Sequence, residues 1–182
     1  MSNPLTADEA ISLLRQHPKN YSTLEQLGIL TEQVDANSSG RLTVLYSGET
    51  AKGIWSSDVI NAFVEAGEDV RVINRSHVAQ FLISDDFYEA LANIYQLDDA
   101  RELSSGRYRG PATDWLYHPT EGPWAKASAR FADATVGEVH AIATEADPTR
   151  TFGAVELPRI LNNPNVTTIE GIPREVLVSR QQ

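Results

Sequence analysis

The chain has no cysteine among its 182 residues. Disulfides, thiol nucleophiles and thiolate-bound zinc are therefore excluded. No run of basic residues occurs, and 25 acidic residues against 15 basic ones give a formal net charge of -10. A field of that sign repels a phosphate backbone, so no nucleic-acid partner is expected. No stretch approaches the roughly 18 consecutive apolar residues of a membrane span, so no membrane partner is expected either. The opening residues lack a basic start followed by an apolar core, so no secretory signal is expected there. GxGxxG, Walker A and HExxH patterns are all missing. The four histidines, His17, His77, His118 and His140, lack metal-ligand spacing and are expected to be surface or structural residues, with no metal site.

What remains is an ordinary globular composition, 41% hydrophobic and 22% charged. Thr6 with Glu9 three residues later predicts a capped helix that ends at His17-Pro18. A second short helix is expected over 22–27, closed by Gly28. Residues 36–40 read as a loop, 42–46 as a buried strand, 49–66 as a helix stopped by Gly67, and 70–73 as a second strand. That strand–helix–strand order predicts a parallel-sheet unit. Residues 77–97 read as helical and 104–123 as a long loop. Pro123 opens a helix through Ala134, and 138–144 is a third strand. A polar turn follows over 146–150. The segment 152–157 reads as a short strand or as a turn before a helix. Leu161-Asn162-Asn163-Pro164 is a break, 166–170 is a fourth strand, and the residues from Val176 onward read as a polar tail.

Few residues stand out chemically. Ser47-Gly48 follows a strand but lacks the GxSxG pattern of a nucleophile elbow. Glu156 lies in Thr-Phe-Gly-Ala-Val-Glu-Leu-Pro, among small and apolar neighbours. Such a glutamate is either held near a ligand or points outward from a short strand. Trp124, at the start of a helix, is either core packing or a stacking wall for a flat ring.

Three segments carry a resemblance. Trp124, Ser128 and Arg130-Phe131-Ala132 are similar to the Trp-containing helix of the ADP-ribosyl cyclase/NAD glycohydrolase family. Gly137-Glu138-Val139-His140 is similar to that family's Asp-Val-Val-His strand. Residues 151–156, Thr-Phe-Gly-Ala-Val-Glu, resemble its Thr-Phe-Gly-Ser-Val-Glu, which ends on the catalytic glutamate. The three occur in the family's order at nearly its spacing. Weaker likenesses reach back through Leu45-Tyr46-Ser47 and Ile73-Asn74-Arg75-Ser76 to Tyr21. There are departures: Gly48 stands where the family has a phosphate-side Arg, Asn74 where it has a second carboxylate, and Tyr46 where it has a Trp. The animal members are disulfide-rich, and the disulfide-free bacterial toxin domains similar to them are the nearer likeness.

The resemblance implies an α/β fold of ADP-ribosyl cyclase type. A helical part would pack on a small, mainly parallel four-stranded sheet flanked by helices. It implies one domain over 1–182, with a helical lobe at about 1–40 and 77–122 and an α/β lobe at about 41–76 and 123–175. It implies cleavage of NAD+ as substrate, with no bound cofactor. Glu156, Trp124 and Ser128 would carry the chemistry, and Tyr46, Ser47, Asn74, Ser76, Thr151 and Phe152 would bind substrate. A nucleotide-binding module without turnover is the alternative expectation. The chain would be cytoplasmic, or a toxin delivered into a target cytoplasm, with an immunity protein as partner in the latter case.

Overall fold

Reciprocal caps start the first helices. The computed structural model describes residues 3–46, 49–51, 54–105, 110–142 and 155–180. The chain separates into two compact units, 1–36 with 74–127 and 37–73 with 128–182. In the first unit, Thr6 and Glu9 form the capping box of α1 (Ala7–Gln16), and Thr23 and Gln26 form that of α2 (Leu24–Gln33). Gly28 does not close α2 as its composition suggested. The apolar stripe continues through Leu30 to Val34, and Gly28 faces Trp115, whose ring lies 3.9 Å from where a Cβ would stand. At that distance a side chain would make only an ordinary contact, so the glycine marks neither a close approach nor the helix end.

The second unit begins with β1 (Leu42–Tyr46), β2 (Glu49–Ala51), β3 (Ile54–Trp55), α3 (Ser56–Glu65) and β4 (Val70–Arg71). The helix expected from residue 49 starts only at Ser56. Thr50, Ile54 and Trp55 favour extended backbone, and β2 and β3 pair antiparallel instead. β1 pairs with β4 in parallel, Leu42 opposite Val70 and Thr43 opposite Arg71. One face of that pair, Leu42, Val44, Val70 and Val72, packs on Ile60 and Phe63 of α3.

The chain then returns to the first unit with α4 (His77–Leu82), α5 (Asp85–Ile94), α6 (Arg101–Ser104) and α7 (Pro111–Leu116). Ser76 and Ser84 cap α4 and α5. Phe81 and Phe87 meet edge to face, with centroids 5.3 Å apart, in the core of this unit. The long loop expected over 104–123 is interrupted by α7. Pro111 suits a first helical position, and Thr113 Oγ1 accepts from the Gly110 N–H at 3.1 Å. His77 and His118 have structural roles, their Nδ1 atoms accepting backbone N–H groups of Ala7 at 3.2 Å and of Glu121 at 3.0 Å.

Helix α8 (Pro123–Asp133) leads into the rest of the second unit: β5 (Gly137–Ile142), α9 (Leu157–Leu161), β6 (Val166–Ile169), β7 (Ile172–Pro173) and α10 (Arg174–Arg180). The strand order is β4-β1-β5-β6-β7. The first four strands are parallel, as the sequence predicts, and β7 adds an antiparallel edge. Glu170 and Gly171, both at positive φ (53° and 76°), make the two-residue turn into β7. The polar tail expected after Val176 is the helix α10. It packs on β6 and β7, and Arg174 Nη1 donates to Leu161 O at 2.8 Å. Among the described residues no helix is long and apolar enough to cross a membrane.

Arg71 fastens the other face of this sheet. Its guanidinium lies 3.9 Å from the Phe131 ring centroid. Nη1 donates to Thr43 Oγ1 (3.1 Å) and Thr135 Oγ1 (2.9 Å). Nη2 donates to Asn37 Oδ1 (2.7 Å) and Phe131 O (3.0 Å), and Nε to Ser38 O (3.0 Å). Arg71→Ala is expected to destabilise the protein by about 3–5 kcal/mol, because it strands several buried acceptors at once. Arg71→Lys, with three donors and no planar fork, recovers only part of that. Urea denaturation midpoints check both. A lysine variant as stable as the parent would mean the fork geometry is not required.

Candidate active site

The strand order reverses at one place. From β1 the chain goes outward to β4, then returns to β5 on the other side of β1 and continues to β6. In open parallel sheets, ligands bind beyond the carboxyl ends of the strands at such a switch point. Here those ends are Tyr46 of β1 and Ile142 of β5, paired with each other in register. The segment that leaves β5 runs on to Glu156.

Val155 and Glu156 form a π-helical turn that leads into α9, a feature found often at functional sites. Glu156 does not point outward from a strand. It is 6% exposed, because the helical turn directs it inward together with Val155. The Ser128 hydroxyl of α8 donates to the carboxylate. Oε2 is buried and has no hydrogen-bond partner among the described residues. Burial drives the Glu156 carboxyl up to about 7, with the Ser128 hydrogen bond pulling the other way. An ordinary structural carboxylate is buried only with a cation or several N–H donors. Among the described residues this one is held by a single neutral hydroxyl.

The remaining expected residues are distributed as follows. Trp124 lies one turn before Ser128 on α8, in the portion that belongs to the first unit. Its buried indole N–H has no acceptor among the described residues. Asn74 is exposed on the 3-10 turn Ile73–Arg75. The buried Ser76 hydroxyl accepts from the Ala79 N–H at 3.2 Å, which gives it a structural task as the cap of α4. Tyr46 ends β1 with its backbone paired to β5, while its side chain lies outside the described residues. Ser47, Gly48, Thr151 and Phe152 also lie outside them.

Two clefts, of about 320 and 550 Å³, contain none of the expected residues. Both are in the first unit. The larger is lined by Asp85, Glu89, Asp98 and Asp99, a set that would repel a dinucleotide's phosphates. Among the described residues no three metal-ligating side chains cluster. Two residues that matter to this region, Arg71 and Asn163, were not singled out from sequence. A lone arginine between valines of a buried strand is the signal for the first.

The class that fold and site define is a mixed α/β protein with a mainly parallel sheet and, at the start of the helix that follows β5, a buried carboxyl with one oxygen unpartnered among the described residues. No protein-family model, no curated protein and no solved structure matches the chain.

Glu156 makes stability depend on pH in a definite direction. The folded protein keeps this proton up to about pH 7, whereas the unfolded chain gives it up near the model-compound value of 4.5. Stability from this group is therefore fully present below 4.5, falls as pH rises to 7, and is level above that. The loss is on the order of 3 kcal/mol. Glu156→Gln should be more stable than the parent at pH 8 by about that amount, with the difference vanishing near pH 4.5. Urea denaturation at the two pH values decides it, and a variant less stable at both would contradict the assignment.

Proposed function

We propose that the chain is an NAD glycohydrolase, cleaving the nicotinamide–ribose bond of NAD+ to nicotinamide and ADP-ribose, with Glu156 as the working carboxylate. One observation carries the reading: at the start of α9, a buried glutamate has one neutral partner and an oxygen left unpartnered among the described residues. A fold without a task for that group would gain stability by replacing it. The likeness of 124–132, 137–140 and 151–156 to the cyclase family supplies the reaction type.

The chemistry suits a lone carboxylate. As the bond between ribose C1′ and the pyridinium nitrogen breaks, its electron pair passes to nitrogen. Nicotinamide leaves neutral, and no general acid is needed. Positive charge builds on the ribose, and an anion fixed nearby in a dry site stabilises it strongly. Water then bonds to C1′ and one proton is released. Ser128 holds the carboxylate in its ionised form, and the family likeness would give Trp124 the nicotinamide face.

The test is incubation with NAD+ at pH 8 and chromatography of the products. Nicotinamide release is expected from the parent, with turnover at least ~100-fold lower for Glu156→Gln, the scale of losing one preorganised electrostatic group. Because the ionised form acts, kcat/KM should rise with pH and level off above about 7. Ser128→Ala should move that limb to higher pH. NAD+ binding with no nicotinamide release would instead indicate a binding module.

The products divide by geometry. Ring closure by the adenine needs a pocket that folds the dinucleotide back and excludes water. Asn74 offers an amide where a second carboxylate would stand, and Gly48 offers no side chain to anchor a phosphate. Water should therefore win, with ADP-ribose as the main early product. Cyclic ADP-ribose dominating at early time points would overturn this expectation.

A further inference from the structure

The break after α9 is a built contact. Asn163 is 6% exposed. Its Nδ2 donates toward Thr135 O (2.8 Å), Ala132 O (3.1 Å) and Asp133 O (3.3 Å), the carbonyls at the end of α8. Carbonyls at a helix end run short of intrahelical partners; of these three, Ala132 O also accepts from Thr135 N at 3.2 Å. Asn163 Oδ1 accepts from Asn165 N at 2.9 Å. Gly137 N, at the start of β5, donates to Asn165 O at 2.9 Å. The turn from α9 to β6 is thus joined to the turn from α8 to β5 by one buried amide and a backbone bond.

The other end of the same pair of segments holds the Ser128–Glu156 contact. The same seven-position spacing separates Ser128 from Thr135 on one segment and Glu156 from Asn163 on the other. Helix α9 has only five residues, too few to hold a position by its own cooperativity. Its place along α8 is set by what grips its ends. The Arg159–Asp133 ion pair between them is about half exposed on both sides, and such pairs contribute little.

We propose that Asn163 is a positioning residue: by locking the exit of α9 to the carbonyl end of α8, it fixes the contact of the Glu156 carboxyl with the Ser128 hydroxyl at the opposite end. That this carboxyl performs chemistry rests on the NAD glycohydrolase reading; the lock itself does not. Asn163→Ala frees the exit of α9, lets the turn at Glu156 shift and admits water to the carboxyl. Asn163→Gln keeps both donors but lengthens the arm, displacing the contact while retaining most of the stability.

Carbon-13 NMR of glutamate-labelled protein, with Glu156→Gln to assign the signal, follows the titration of this carboxyl directly. Its midpoint in the parent is expected near 7. Either Asn163 variant is expected to lower it by about one pH unit or more, because hydration relieves burial, the larger cause of the shift, and outweighs loss of the Ser128 hydrogen bond, which alone would raise it. Arg159→Ala, which removes only the surface tie, is expected to leave it unchanged. Should Asn163→Ala fail to fold, Asn163→Gln decides. A folded Asn163 variant with the parent's midpoint overturns the proposal and leaves Asn163 a purely stabilising cap. Nicotinamide release is read in parallel, and kcat is expected to fall about 10- to 100-fold with KM little changed, the cost of a misplaced group. If the parent releases no nicotinamide, the NAD reading fails while the titration still decides the role of Asn163.

Discussion

The architecture of the second unit depends on a buried cation that meets no anion among the described residues. Arg71 is drawn from β4 into a space bounded by β1, the Asn37-Ser38 turn and the last turn of α8. Burial lowers its pKa to about 10, which still leaves it charged at neutral pH. The charge is tolerated because each donor meets an oxygen and the guanidinium plane rests on Phe131. One side chain thereby fixes the orientation of α8 on the sheet. Apolar packing alone would leave a helix free to slide or rotate by fractions of a turn, since hydrophobic contact is non-directional. Planar hydrogen bonds to specific carbonyls do not allow that.

From this anchor the constraint passes along the chain to Ser128. Arg71 holds Phe131 O and Asn163 holds Ala132 O, both within one helical turn of Ser128. A hydroxyl fixed in this way can support a carboxyl that gains nothing else from its surroundings. The fold accepts a destabilised group at Glu156 because the surrounding ties over-determine its place.

Much of this was legible in the sequence, but at different levels. The Thr6–Glu9 box, the stop at His17-Pro18, the four parallel strands and the helix from Pro123 follow from patterns of local origin. What failed were signals whose meaning is set by tertiary contact. Gly28 has the composition of a helix stop yet lies inside α2, which runs on to Gln33. The stretch from residue 49 has helical apolar spacing, yet Glu49–Ala51 and Ile54–Trp55 pair as strands. The end of the chain looks polar, yet Arg174 and the half-buried Leu177 and Val178 give α10 a place to rest. At the site, the Glu156 segment was visible through family likeness, whereas its inward direction was not. A single glutamate among small residues reads the same whether it faces in or out. Asn163 was visible only as punctuation, because Asn before Pro signals a turn whatever its amide holds.

Among its described residues the unit buries one cation and one carboxyl, and it does not pair them. Burial alone accounts for the shift at Arg71. Burial and Ser128 account for that at Glu156. Had the two been brought into contact, each would have satisfied the other. Glu156 would then have been held well below its ordinary range, with its charge spent on the guanidinium. A carboxylate so neutralised offers little field to a cationic intermediate. Keeping them apart requires each to be solvated by neutral dipoles, and the supply is unequal. Arg71 receives hydroxyls, carbonyls and an amide oxygen; Glu156 receives one hydroxyl. The structural charge is fully solvated and the candidate functional charge is left wanting. Under the proposed NAD glycohydrolase reading, a positive charge arriving on a substrate would supply what the carboxylate lacks, and its stabilisation by the fold would grow as the bond breaks.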